Sequence, residues 1–327
     1  MKYLYYSIFV VLIFFSCKIT DRSEEFDNID FKHEMQNFVI GISQYSKAYN
    51  PDFAIIPQNG APLILEEAQT FGNIETAYLN AIDGQAQEGL NFGYLYDDIR
   101  TQSIVKLSLQ AFLDSANHHH KTILVTDYCI SPINIDEAFR ANRQKAYLGF
   151  VATQRNLDNI PNYSVRQENH ADVHSLSTAK NFLYFLNYDN YNTKNELITA
   201  ISQTNYDLLI IDAFFNDGTA FTNAEIQRLK HKANGGMRQV IAYMSIGEAE
   251  SYRYYWKTAW NTNMPVWMGQ ENPNWHGNYK VRYWMKKWQK IIYGNDNSYV
   301  KKIINQGFDG VYLDIIDAYE YFEGIYN

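Results

Sequence analysis

The chain has 327 residues, 46% of them hydrophobic and 20% charged, enough for one large domain or two ordinary ones. A formal net charge of -8 weighs against nucleic-acid binding, which usually leaves a basic footprint. The mean hydropathy of -0.39 points to a soluble body, and the 16% aromatic content, with 27 Tyr, suits both a core and a sugar-binding cleft.

Residues 1–16 read as a signal peptide: Lys2 is the positive start, and Ile8 to Phe15 (IFVVLIFF) is an apolar run too short to span a membrane. The stretch Phe14-Phe15-Ser16-Cys17 is similar to a loosely written bacterial lipobox. Lipidation of Cys17 would place an exported protein at the cell envelope, on the outer membrane or the cell surface, touching membrane only through the anchor. An ordinary cleaved signal is the plain alternative. Residues 17–30 are polar and read as a tether, and residues 31–327 as a single domain. Cys129 is the only other cysteine, so no disulfide framework within the chain is expected. It sits beside an apolar strand and reads as a small core residue.

Past the tether, apolar runs alternate with helical patterns. Met35, Phe38, Val39, Ile42 and Tyr45 form a helical stripe. Strands are expected at 52–57 (DFAIIP) and 76–82 (TAYLNAI). A second stripe follows, of Ile104, Leu107, Leu109, Phe112 and Leu113. Strands are then expected at 121–126, 146–152, 181–186, 206–211, 238–244 and 308–313, with helical patterns around Leu197, Ile198 and Ile201 and around Ile226 and Leu229. Eight strands alternating with helices predict a parallel α/β fold, and the number eight favours a closed (β/α)8 TIM barrel over a doubly wound sheet. No Gly-rich dinucleotide or phosphate loop follows a strand, so no cofactor is expected.

In such a barrel the site lies at the C-terminal ends of the strands. There the chain places Gln58 and Asn59, Asp83 and Glu88, Asp127, Gln154 and Arg155, and Asn187. Asp212, Ser245 and Glu248, and Asp314 and Asp317 complete the rim. One such residue is commonly a cap or a turn; five or more acids on one rim are harder to explain that way. All six tryptophans (Trp256, Trp260, Trp267, Trp275, Trp284 and Trp288) fall in one long connection before the last strand. Such connections are often functional. Trp284 and Trp288, at i and i+4, read as a packed helix face, and two or three of the six are expected in the core.

The stretches VIAYMSIGEAESYRYYW (240–256) and GFDGVYLDIIDAYEYF (307–322), with FAIIPQNG, YLNAIDGQAQEGL and LVTDYC, resemble the endo-α-1,4-polygalactosaminidase family, glycoside hydrolase family 114, and its bacterial relatives. The order of the pieces departs from that family, whose members begin with the segment similar to NFLYFLNYD and reach the GVYLD strand halfway. The chain therefore reads as circularly permuted. The resemblance implies a catalytic pair, an Asp after the fourth family strand and a Glu after the sixth, which match Asp314 and Glu88. It implies an endo-acting enzyme on an aminosugar polysaccharide resembling α-1,4-galactosaminan.

Glycoside hydrolysis needs two carboxyl groups flanking the scissile bond. We expect Glu88 to serve as general acid/base and Asp314 as nucleophile, with retention of configuration. Asp212, Glu248, Asp127, Asp317, Asn59, Tyr188 and Trp256 are the expected substrate-binding residues; surplus acids suit a cationic sugar polymer. One rival is a non-catalytic saccharide-binding lipoprotein on the same barrel. Another is a metal-dependent sugar deacetylase using His118, His119 and His120, or His170 and His174 spaced as on one helix face. Adjacent histidines at a solvated helix end explain the triplet more simply, and ENHADVHSL lacks the HEXXH pattern, so no metal is expected.

Overall fold

The computed structural model describes residues 29–66 and 72–326. The expected signal peptide, Cys17 and most of the tether lie outside them. The first helix, Phe31–Lys47, starts where the Asp30 side chain accepts the His33 N–H at 2.9 Å. Of its predicted stripe, Met35, Phe38, Val39 and Ile42 are buried and Tyr45 is half-buried; Phe31 adds a further buried ring.

The strands in chain order are β1 (Ala54–Pro57), β2 (Gly84–Glu88), β3 (Thr122–Tyr128), β4 (Leu148–Ala152), β5 (Phe182–Phe185) and β6 (Leu208–Asp212). They continue with β7 (Gln239–Ser245), β8 (Glu248–Glu250), β9 (Met268–Glu271), β10 (Asn278–Val281) and β11 (Gly310–Asp314). Five form a parallel sheet in the order β1-β11-β7-β6-β5, and three form a second parallel sheet, β2-β3-β4. A parallel bridge from Gln58 to Ala86 joins β1 to β2. On the other flank the rings of Phe150 in β4 and Phe182 in β5 lie 5.6 Å apart. The mixed α/β architecture is therefore the expected one. The parallel strands are runs such as LLIID and GVYLD, because both of their faces are covered.

One expected strand is wrong. Residues 76–81 form a helix, capped by the Glu75 side chain on the Ala77 N–H, and the strand is the next segment, GQAQE. The apolar residues Tyr78, Leu79, Ala81 and Ile82 fit a helix face as well as a strand, and β2 carries almost no apolar signal. Its glutamines are buried because they bond to the β1 end: Gln85 Nε2 donates to the Asn59 carbonyl at 2.7 Å, and Gln87 Nε2 to Asn59 Oδ1 at 3.1 Å. Asp83 consequently moves to the opposite end of the strand. There it pairs with Lys47 at 3.0 Å and accepts the Ile55 N–H at 2.8 Å.

The long connection between β7 and β11 folds as a small antiparallel sheet, β8-β10-β9, followed by the helices Lys286–Ile292 and Tyr299–Gln306. Trp267 and Trp288 are core, in line with the expectation, and Trp288 Nε1 donates to the Ile246 carbonyl at 2.9 Å. Trp284 precedes the helix instead of sharing its face. After β11 the chain forms its own helix, Ala318–Tyr326, and Phe322 stacks on Phe31 with ring centroids 5.6 Å apart.

Candidate active site

A cleft of about 650 Å³ opens at the C-terminal ends of the parallel strands. Asp314 ends β11 opposite Ser245 of β7, and Glu88 ends β2 opposite Thr126 of β3. Both carboxyls enter the cleft. Asp314 is held at both oxygens: Tyr243 OH donates to Oδ2 at 2.7 Å and the Ile315 N–H to Oδ1 at 2.8 Å. Glu88 Oε1 accepts the hydroxyl of Tyr128, whose ring lies 4.0 Å beneath the Arg155 guanidinium. Between the acids, Tyr312 donates its hydroxyl to Gln58 Oε1 and packs on Tyr184, with ring centroids 5.0 Å apart.

Burial raises the pKa of both acids, because removing a carboxylate from water disfavours its charge. For Asp314 the charge of Glu88 adds to burial, and the pKa is pushed up to about 7. For Glu88, the hydrogen bond from Tyr128 and the charge of Arg155 offset part of the rise. Asp317, three residues further on, is lifted to about 6 by burial and by Glu320. Burial thus favours the protonated forms of Asp314, Glu88 and Asp317 in the resting cleft.

The opposite wall is an ion-pair cluster. Arg253 binds both oxygens of Asp212 at 2.7 Å and reaches Glu250 Oε2 through Nε at 2.6 Å. Asp212 also accepts the Phe214 N–H at 2.9 Å, so its charge and most of its lone pairs are already committed. Glu248 accepts the side-chain amides of Asn272 at 2.8 Å and Asn278 at 3.4 Å. Asn59 and Tyr188 also line the cleft.

Two expected binding residues lie elsewhere. Asp127 is fully buried below the rim and accepts four donors: the Asn91 and Phe92 N–H groups at 2.7 and 3.0 Å, and the amides of Asn91 and Asn142 at 2.8 and 3.1 Å. It pins the loop after β2 and is out of a ligand's reach. Trp256 packs on Trp260 and Tyr279 outside the cleft, and its indole N–H is taken by Asn261 at 2.8 Å. The cleft-lining tryptophan is Trp275, 61% exposed in the turn between β9 and β10.

The sequence model of glycoside-hydrolase family GH114 matches residues 162–326, half of the chain. The chain belongs to glycoside-hydrolase family GH114. It is 45% identical over 175 residues to an uncharacterized protein of Methanocaldococcus jannaschii, a match that covers 53% of this chain and 46% of that protein. An uncharacterized Thermotoga maritima protein is 40% identical over 146 residues, which is 43% of each chain. One from Deinococcus radiodurans is 41% identical over 123 residues, covering 38% of this chain and 37% of that protein. The chain thus matches less than half the length of these curated relatives. The GH114 segment runs from before β5 to beyond β11 and carries Asp212, Glu248, Asp314 and Asp317, while Glu88 comes from the half outside it.

Two residues around the GH114 cleft carry no clear site signal in the sequence. Tyr243 was readable only as a buried strand residue, although a hydroxyl in an otherwise apolar run is a weak signal. Arg253 is distinguished from other arginines only by the carboxylates that folding brings to it. His118, His119 and His120 are exposed at a helix end that leads into the N-terminal end of β3, away from the cleft, and His170 and His174 lie in a loop, not on a helix. Among the described residues no cluster of three or more His, Cys, Asp or Glu could hold a metal ion. Cys129 is free and buried, and burial pushes its thiol pKa up.

Proposed function

We propose that the protein is an endo-acting glycoside hydrolase that cleaves an aminosugar-containing polysaccharide with the pair Asp314 and Glu88. The observation that carries this reading is the pair itself: two carboxyls with raised pKa values at the ends of two parallel strands, in one cleft with an exposed tryptophan. One carboxylic acid protonates the leaving glycosidic oxygen, and the other, ionised, attacks the anomeric carbon. Water then releases the covalent sugar, returning the proton to the first group, with retention overall. Glu88 acts as the acid/base and Asp314 as the nucleophile, the two donors on Asp314 favouring its ionised form. Trp275 offers a face for a pyranose ring. Glu248 and Asp317 supply acceptors for sugar hydroxyls or an ammonium, and Asp212 acts with Arg253 as a paired unit.

The architecture we propose is a closed (β/α)8 barrel, supported by the Gln58–Ala86 bridge on one flank and the β4–β5 ring contact on the other. Circular permutation is supported by the order of the family-like motifs in the chain and by a family match confined to its second half. Lipidation of Cys17 is proposed as the anchor to the cell envelope; a Cys17→Ser variant that still takes up labelled fatty acid would refute it.

The deciding experiment incubates the protein with aminosugar and neutral polysaccharides and analyses products by mass spectrometry. Cleavage by the wild type, lost in Glu88→Gln and Asp314→Asn, is expected. Tight binding without cleavage would make the protein a saccharide-binding lipoprotein, and cleavage abolished by chelation would point to metal chemistry.

A further inference from the structure

Directly after Asp314 the backbone takes an unusual turn. Ile315 has φ +58°, in the left-handed region that β-branched residues avoid. A conformation of this kind persists only where its surroundings dictate it. Here they do so from two sides. The Ile315 carbonyl lies against Gly247, so close that a Cβ added at 247 would overlap that oxygen and sit 2.7 Å from Ile315 Cγ2 and 2.8 Å from Ala318 Cβ. From the other side, Ile316 is fully buried and presses on Gly60, where an added Cβ would lie 2.8 Å from Ile316 Cδ1. The Ile246 N–H donates to the Asp314 carbonyl at 3.1 Å and closes the turn against the end of β7. The result is that the Ile315 N–H points back at the side chain of the preceding residue, 2.8 Å from Asp314 Oδ1.

We infer that Gly247 and Ile315 are positioning residues. Gly247 makes room for a left-handed turn at Ile315, and that turn aims a main-chain N–H at one oxygen of Asp314 while Tyr243 holds the other. A side chain at position 247 would displace a backbone carbonyl, which cannot rotate out of the way as a flexible side chain can. The motif SIGE of the β7 end and the motif LDIID of the β11 end are thereby linked: the glycine of one is needed by the acid of the other. This inference rests on Asp314 being the working carboxylate of the proposed hydrolase.

Two perturbations test it. Gly247→Ala should force the turn open. Replacing Ile315 by its α-hydroxy analogue through nonsense suppression should delete the N–H and leave the side chain. For each, the Asp314 carboxyl carbon is titrated by ¹³C NMR in the intact protein and, if the wild type cleaves glycan, kcat and KM are measured across pH. Asp314 is faced by Glu88, Asp317 and Tyr243, so each titration is repeated in the Glu88→Gln background to remove the largest neighbouring charge. Loss of a donor to the ionised acid should move the Asp314 midpoint upward, shift the acidic limb of the rate profile the same way and lower kcat about ten- to a hundredfold, with KM little changed. If Gly247→Ala does not fold, the ester variant decides alone. A folded ester variant with the wild-type midpoint and wild-type kcat would overturn the inference. A wild type that cleaves no glycan would remove the hydrolase reading, and the NMR midpoints would still judge the positioning claim.

Discussion

Replacing Asp314 by Asn should make the protein more stable, and increasingly so as pH rises. The folded environment lifts Asp314 from the ordinary 3.8 to about 7. Between those values the folded chain holds a proton that the unfolded chain has released. Stability therefore falls as pH rises across this window; the cost is absent below the lower value and complete above the upper one. At about 1.36 kcal/mol for each pH unit, ionised Asp314 costs the fold up to about 4 kcal/mol near pH 8, of which somewhat under half is already present near pH 5. Asp314 keeps part of its surface open to the cleft, and solvent screening brings these figures to roughly half. Asn keeps the shape: its oxygen can accept the Ile315 N–H, and the rotatable Tyr243 hydroxyl can accept from its amide. Urea unfolding of both proteins should show Asp314→Asn gaining about 1–2 kcal/mol over wild type between about pH 5 and pH 8. A gain that is flat with pH, or that shrinks as pH rises, would refute the assignment of a strained, proton-retaining acid at this position.

Tyr243→Phe removes one donor from Asp314, so the Asp314 midpoint should move above about 7, read by NMR, with kcat/KM down about tenfold. Arg253→Ala leaves Asp212 and Glu250 buried without their cation; a loss of about 3–5 kcal/mol is expected in chemical denaturation, and a loss below about 1 would mean the cluster is solvated. Trp275→Ala should raise KM for oligosaccharides about tenfold with kcat nearly unchanged, and an unchanged KM would remove the stacking role. Glu88→Gln should lower the Asp314 midpoint by roughly one to two pH units, because a neighbouring like charge disappears.

How much of this was legible in the sequence depends on the kind of signal. Seven of the eight expected strands occur where apolar runs stand, because strands covered on both faces must be apolar. β2 was displaced by several residues because its side chains are polar amides, buried only through bonds to the Asn59 region, and no local pattern announces a partner that lies far along the chain. The same displacement explains Asp83. Asp127 had the right residue type at the right strand end, yet its carboxylate turns to the loop after β2. Trp256 and Trp275 lie in one aromatic-rich connection, and only the fold of the β8-β10-β9 sheet separates the packed ring from the exposed one.

What the sequence determined by itself is the alternation of elements, the family and the acids available at the strand ends, because these follow from periodicity and from residue identity. The tertiary structure alone decided which acids share the cleft, which are neutralised by Arg253, and how far Asp314 is driven from its ordinary titration. Those properties depend on distance, burial and the direction of an N–H, and each is set by residues remote in the chain: Glu88 and Tyr243 around Asp314, and Gly247 against Ile315.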